Sequence, residues 1–461
     1  MMNERRSGIR SVTEGGVARH LKRLTLPSIG GMFAITVFNL TDTYFVSRLG
    51  TEALAAMGFT FPVVMLISSV SVGMATGAGS LLAQAMGRRD HHRVNRYATD
   101  GILLAVLMVV VVSTIGLVTM DPLFRAMGAD EATLPLVKAY MRIWYFGSIA
   151  AIMPPVGDQS MRAMGDMVRP LFVMLVAAGV NLVLDPILIF GLLGFPAMGI
   201  RGAALATVIA RAAGMVTTLS FVHFRYRLVD FRYDGFGELL ESWKGIFRTG
   251  LPVATVRLLP QLLRGVLTRL SSGIGGVHAV AAIAAGTRIE SFPMIIAMSV
   301  GVAAIPVVGQ NWGAGLLDRV DESRRFLNRT AVVFGIILLL IFLPAAGPVA
   351  RIFTNETEVV EYTRWYLWVM MLASVGLNWS NWTSQALTAA SRPRWVLLIN
   401  IVGTGAVIIP LTLVGAKLQG FIGMMVGLGL GQTIVGYGAT RIGRRVLSPT
   451  PDRGPGTHSG V

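Results

Sequence analysis

The chain has 461 residues, 53% of them hydrophobic and 14% charged, with a mean hydropathy of +0.64. Soluble domains carry about 25% charged residues, so this composition excludes a soluble protein and predicts an integral membrane one. The absence of cysteine excludes disulfides, thiolate chemistry and cysteine metal sites, and the net charge of +16 gathers in particular loops, which argues against a nucleic-acid partner.

Residues 1–23 form a basic segment (Arg5, Arg6, Arg10, Arg19, Lys22, Arg23). The apolar stretch that follows runs about 25 residues without a small-residue cleavage site, so it predicts a retained membrane helix rather than a signal peptide. Twelve apolar spans are expected near 24–48, 54–86, 98–120, 134–157, 168–193, 199–223, 246–271, 279–312, 328–347, 360–387, 394–416 and 419–440. The expected organisation is therefore a cytoplasmic segment 1–23, a first six-helix bundle 24–223, a cytoplasmic linker 224–245, a second bundle 246–445 and a Pro-, Gly- and Ser-rich tail 446–461.

One set of loops, with the two termini, takes 27 of the 40 Lys and Arg residues, while the opposite loops take seven and the spans six. The positive-inside rule places both termini in the cytoplasm, and hence the chain in the cell (inner) membrane. The halves also repeat. Thr25-Leu26-Pro27 is answered by Gly250-Leu251-Pro252, Gln84-Ala85-Met86-Gly87 by Gln310-Asn311-Trp312-Gly313, and Asp121-Pro122 by Gly347-Pro348. Tyr140 is answered by Tyr366, Arg169-Pro170 by Arg392-Pro393 and Pro186 by Pro410, all at offsets of 223 to 226. Six spans per unit give both units one topology, with a pseudo-two-fold axis along the membrane normal, as in two-lobed carriers.

Carboxylates lie inside two spans: Asp42 in Phe38-Asn39-Leu40-Thr41-Asp42, and Asp185 in Asn181-Leu182-Val183-Leu184-Asp185-Pro186. An ionisable residue at bilayer depth costs roughly 2.5–3.5 kcal/mol on insertion scales, so it is expected to line a cavity, an ion site or a proton path. Asn181 and Asp185 are four apart and share a helix face. None of the four lysines is followed by Ser or Thr, so there is no phosphate-cradling loop for ATP-driven pumping, and the six histidines form no zinc motif. If the chain is a transporter, it must draw on an ion gradient. Gly73 and Gly77, like Gly427 and Gly431, have the spacing of close helix packing.

Several of these segments resemble the MATE (multidrug and toxic compound extrusion) transporters. The resemblance rests on Phe38–Asp42 with Val46-Ser47-Arg48-Leu49-Gly50 and Thr51–Gly58 after it, on Asn181–Pro186, and on Pro306–Gly315. It covers about residues 20–445. It implies an all-α membrane fold of two six-helix bundles around a central cleft, and a monomeric antiporter, not an enzyme. Such a carrier would export drug-like or metabolite substrates in exchange for H⁺ or Na⁺, with no other cofactor. In the archaeal-like branch the ion is coupled in the N-terminal bundle. The matching positions here are Asp42, Asn181, Asp185 and Thr207, which would also hold a Na⁺, with Asn39 beside them and Asp158 as a third carboxylate.

Phe38 stands where that branch can carry Tyr, and Pro260 stands where other branches place an acid, which favours coupling in the first bundle. Arg257, Gln261 and Arg264 fall at i, i+4 and i+7, and Arg288 and Glu290 follow in the next span. With Phe38 they are the candidates for the substrate cleft, and the arginines suit anionic substrates or a salt bridge to Glu290. The competing readings are a flippase for a lipid-linked anionic precursor, which the arginines would also serve, and a membrane enzyme or sensor. The latter fits poorly, since the acids lie within spans and no soluble domain is present.

Overall fold

The computed structural model describes residues 11–230 and 236–448; parts of the expected N-terminal segment, linker and tail lie outside the described residues. What is described is almost wholly helical. The helices are α1 (Val17–Ser47), α2 (Thr51–Gly87), α3 (His91–Ala126), α4 (Leu134–Phe146), α5 (Ser148–Ile152), α6 (Pro154–Ala163), α7 (Val168–Phe190) and α8 (Ile200–Ser220). After them come α9 (Phe236–Val256), α10 (Leu259–Gly313), α11 (Leu317–Arg351), α12 (Thr357–Ala389), α13 (Pro393–Leu397) and α14 (Ile409–Leu447). Phe221–Arg225 and Leu398–Ile408 are π-helical continuations of α8 and α13.

Eight helical stretches are long and apolar enough to cross a membrane. A bilayer core is about 30 Å thick, or about 20 residues of helix, so stretches of 78 and 55 residues must each hold two crossings. Both reverse at a glycine: Gly276 (φ 56°) inside α10 and Gly420 (φ 60°) inside α14 adopt positive φ, where a Cβ would be strained. The α4–α6 stretch and α12 supply the remaining two, giving twelve helical legs. Pro154 opens α6 and so separates it from α5.

The apolar surface is patterned inside out. Leu107, Val110, Val111 and Ile115 form an exposed stripe on α3, and Val333, Ile336, Ile337 and Ile341 form one on α11. The two sets repeat at an offset of 226, which is the lipid-facing pattern of matched spans in the two halves.

Two compact units are present. The first is built on Leu26–Ala254, the second on Val12–Thr25 and the chain from Thr255 on. These boundaries differ from those read off the charge pattern. The unit changes just before Leu26-Pro27 and just after Leu251-Pro252, the matched pair of the internal repeat, rather than in the 224–245 linker. Within the second unit, Asn311 donates to the Val12 carbonyl (3.2 Å) and Arg319 to the carbonyls of Gly15 (2.8 Å) and Val12 (3.2 Å). Arg319 Nε also donates to Asn311 Oδ1 (2.7 Å), so Asn311 and Arg319 together hold the segment at Val12–Gly15. Within the first unit, Trp243 of α9 donates to the Asp100 carbonyl (3.0 Å), and Glu238 pairs with Arg96 (3.7 Å).

Candidate functional site

Four helices of the first unit bring the in-span acids together. Asp42 (7% exposed), Asn181 (0%), Asp185 (0%) and Thr207 (4%) come from α1, α7 and α8, all deeply buried. The Asn181 amide donates to Asp185 Oδ1 (3.0 Å), which fixes the carboxylate within its own helix at the i, i+4 spacing. Asp42 acts electrostatically on Asp185, and both act on the buried hydroxyl of Tyr140 from α4, which also faces Thr207.

An apolar plug holds this group in register. Val46, Tyr140, Trp144, Ile189, Ala203 and Ala204 belong to one buried cluster. Val46 and Ile189 lie one helical turn beyond Asp42 and Asp185, and Ala203 one turn before Thr207. The polar site is thus sealed at one end by well-packed side chains.

Inside it, hydrogen bonding is incomplete. Asp42 Oδ1, Asn181 Oδ1, Asp185 Oδ2 and Thr207 Oγ1 are buried without a hydrogen-bond partner, as is Nε of Arg211 on α8. Leaving a buried polar atom unpaired costs about 1–3 kcal/mol, more when it is charged, so four such oxygens are not a settled core. A hard monovalent cation takes just such oxygen ligands. Among the described residues no three His, Cys, Asp or Glu side chains converge as a metal cluster.

Two members of this group are not singled out by the sequence. Tyr140 is visible there only as the repeat partner of Tyr366. Arg211 is one of six in-span cations, and its guanidinium carbon stands 5.5 Å over the Phe38 ring. The signal that could have found it is its i+4 spacing from Thr207.

Other expected members lie elsewhere. Asn39 is exposed, although its i, i+3 spacing brings it to the same side of α1 as the buried Asp42. Asp158 does not join the pair: its carboxylate accepts from Thr218 (3.0 Å) and faces Arg162. Thr218 is eleven residues beyond Thr207 on α8, about 16 Å along the axis at 1.5 Å per residue, too far for a shared ion. Phe38 is buried beneath Arg211 instead of lining open space.

In the second unit the matched prolines put Ile409 where the first repeat has Asp185, and Gly405 where it has Asn181; Leu267 corresponds to Asp42. The acid pair therefore has no counterpart there. Glu290 instead accepts a hydrogen bond from the Tyr366 hydroxyl (2.5 Å), with Arg264 exerting a charge effect on it. Arg257, Gln261, Arg264 and Arg288 are exposed, and none of the arginines forms an ion pair among the described residues. The expected salt bridge to Glu290 is not formed. The single helical face expected for Arg257, Gln261 and Arg264 is also interrupted, because the helix parts at Arg257–Leu258 before resuming at Leu259 with Pro260 in its first turn.

Comparison with known proteins decides the family. The MatE family model matches residues 27–187 and again 252–414, the second match starting 225 residues after the first, as the internal repeat requires. The chain belongs to the MatE family. It is 31% identical to the FAD transporter of Shewanella oneidensis, with 94% of this chain and 96% of that protein covered. It is 22% identical to the multidrug export protein MepA of Staphylococcus haemolyticus (92% of each) and 25% identical to the probable multidrug resistance protein NorM of Thermotoga maritima (89% of each). Among solved structures it is similar to the Vibrio cholerae MATE transporter VcmN in the bent form, with a TM-score of 0.88 and 25% identity over 94% of this chain and 97% of that one. This MatE-family chain is therefore a multi-pass membrane transporter of small molecules and not an enzyme.

Proposed function

We propose that the protein is a secondary active exporter that exchanges an anionic organic metabolite for H⁺ or Na⁺, with the cation taken up at Asp42 and Asp185. The observation that supports coupling there is the set of four unpaired buried oxygens around two carboxylates in a sequence without any ATP-binding loop. Both termini are assigned to the cytoplasm from the excess of cationic residues in one set of loops. The cation would then load from outside as substrate leaves outward, and the carboxylates would discharge inward as the next substrate binds.

The arginines of the second unit support an anionic substrate. Arg257 lies eleven residues into the expected 246–271 span, about 16 Å deep at 1.5 Å per residue and so near the middle of the bilayer. A guanidinium facing lipid at that depth is disfavoured by several kcal/mol, so exposed arginines there belong to a water-filled path. Unpaired guanidinium groups bind phosphate in bidentate geometry. The Shewanella oneidensis relative bears the name of a transporter of FAD, a dinucleotide with two phosphates, which such guanidinium groups suit. The relatives named for multidrug export favour a broader, cationic substrate range, which the same assay separates.

Proteoliposomes with an imposed ΔpH or ΔNa⁺ should accumulate FAD in preference to a cationic dye such as ethidium. The double variant Arg257→Gln, Arg264→Gln should lose FAD transport at least tenfold while ethidium transport is unchanged or improved. Equal loss of both substrates would assign the arginines to gating, and wild-type FAD transport by the double variant would remove them from substrate recognition.

A further inference from the structure

Arg211 has no place in the coupling reading so far, yet it lies beside the Asp42 and Tyr140 side of that site. It is on the same face of α8 as Thr207, four residues on. Its guanidinium lies over Phe38, which precedes Asp42 by one turn of α1. It is the cation acting on the Asp42 carboxylate, it also acts on Tyr140, and it forms no ion pair with Asp42 within bonding distance. Its Nε is buried and unpaired, as is Asp42 Oδ1. Arg211 Nε and Asp42 Oδ1 are thus a donor and an acceptor, both buried and both unpaired, with the ring beneath the guanidinium one helical turn from Asp42: an incomplete salt bridge.

We propose that Arg211 is the internal counter-ion of Asp42, parked on the Phe38 ring while a cation or proton neutralises the carboxylate and moving onto the carboxylate when that cation leaves. The proposal rests on the reading of Asp42 as the coupling acid. The charged and titratable groups facing Asp42 are Asp185 of α7, Tyr140 of α4 and Arg211 of α8. An arginine keeps its charge throughout, so with both acids ionised the site carries a net −1 and needs one monovalent cation for neutrality. When that cation departs, Asp42 would be an unpaired buried charge, a state several kcal/mol too high to populate during turnover. A guanidinium that swings across one helical turn supplies the missing partner by side-chain rotation alone. The ring supports the other end of the swing, since a cation over a Phe face gains about 0.5–1 kcal/mol at exposed sites and more when desolvated. The switch therefore has two resting points, and the coupling cation chooses between them.

The two resting points make opposite predictions for two substitutions. Arg211→Met removes the competing charge, so cation affinity should rise roughly 10- to 100-fold, the Coulomb effect of a unit charge at about 6–10 Å with an effective dielectric near 20. Turnover should fall at least tenfold, because discharge loses its assistance. Phe38→Ala removes the parking place, so cation affinity should fall roughly two- to fivefold. Arg211→Lys, which keeps a mobile charge, should restore most of the turnover. The measurements are ²²Na⁺ binding and proton uptake by the purified full-length protein without substrate, with ΔpH- and ΔNa⁺-driven FAD exchange in proteoliposomes alongside.

Affinity and turnover of Arg211→Met both at wild-type values would overturn the proposal. So would a lysine variant as slow as the methionine one, or tighter cation binding in Phe38→Ala, a variant that tests the switch even where Arg211→Met does not fold. Failure of the coupling reading shows separately, as wild-type exchange by Asp42→Asn.

Discussion

Asp42→Asn is expected to reduce ion-driven exchange by at least two orders of magnitude while leaving folded protein in the membrane. The substitution keeps the shape of the side chain and removes its charge and its protonation. Asp42 is 7% exposed with an unpaired Oδ1, so the wild-type residue is costly to the fold and is retained against stability. Replacing a buried, incompletely paired charge by a neutral amide is neutral or stabilising in such settings. The thermal midpoint of the variant should therefore equal or exceed that of wild type, and this separates loss of coupling from loss of fold. Asp185→Asn should impair exchange as well, with a smaller margin of stability, because Asp185 also accepts the Asn181 amide. Exchange by Asp42→Asn at the wild-type rate, under either gradient, would move the coupling site elsewhere.

The acids of this site were legible in the sequence because a carboxylate inside an apolar span is rare enough to stand out, and Asn181 followed from its i, i+4 relation to Asp185. The twelve legs were legible for a similar reason, since bilayer thickness fixes the length of each and cationic loops separate them. Tyr140 and Arg211 were not, because their part in the site depends on α4 and α8 packing against α1 and α7. A tyrosine and an arginine in isolation carry no mark of that packing. Asp158 misled for the converse reason: a buried acid on a neighbouring helix looks like a site member until its depth is known, and Thr218 sets that depth. The unit boundaries were also hidden. Charge patterning finds where the chain leaves the membrane, whereas Val12–Thr25 and Phe236–Ala254 take their unit from hydrogen bonds and close helix contacts. In the seventh span the helix parts just ahead of Pro260, at Arg257–Leu258, because a proline opens the helix that follows more readily than it continues the one before.

Gly77→Leu should abolish recovery of folded protein, and even Gly77→Ala should lower stability by about 1–3 kcal/mol, the usual cost of overpacking. A Cβ at Gly77 would stand 2.7 Å from the Ile246 carbonyl oxygen and 2.8 Å from the Gly250 nitrogen. One at Gly73 would stand 2.8 Å from the Gly250 carbonyl oxygen. These neighbours are backbone, so no side chain can turn aside to make room. In lipid there is little hydrophobic drive between helices, and association depends on backbones that approach closely over small residues. Gly73, Gly77 and Gly250 thus hold α9 to α2, and with it the first half of the seventh span to the first unit. Gly58, on the same helix α2, has nothing within 4 Å of a built Cβ. Gly58→Ala should accordingly stabilise by up to about 1 kcal/mol, the helix-propensity difference between the two residues. Thermal midpoints of the two alanine variants in one detergent, moving in opposite directions, would establish that the α2–α9 seam and not helix propensity governs this part of the fold. A Gly77→Ala protein as stable as wild type would show that the seam can open without cost.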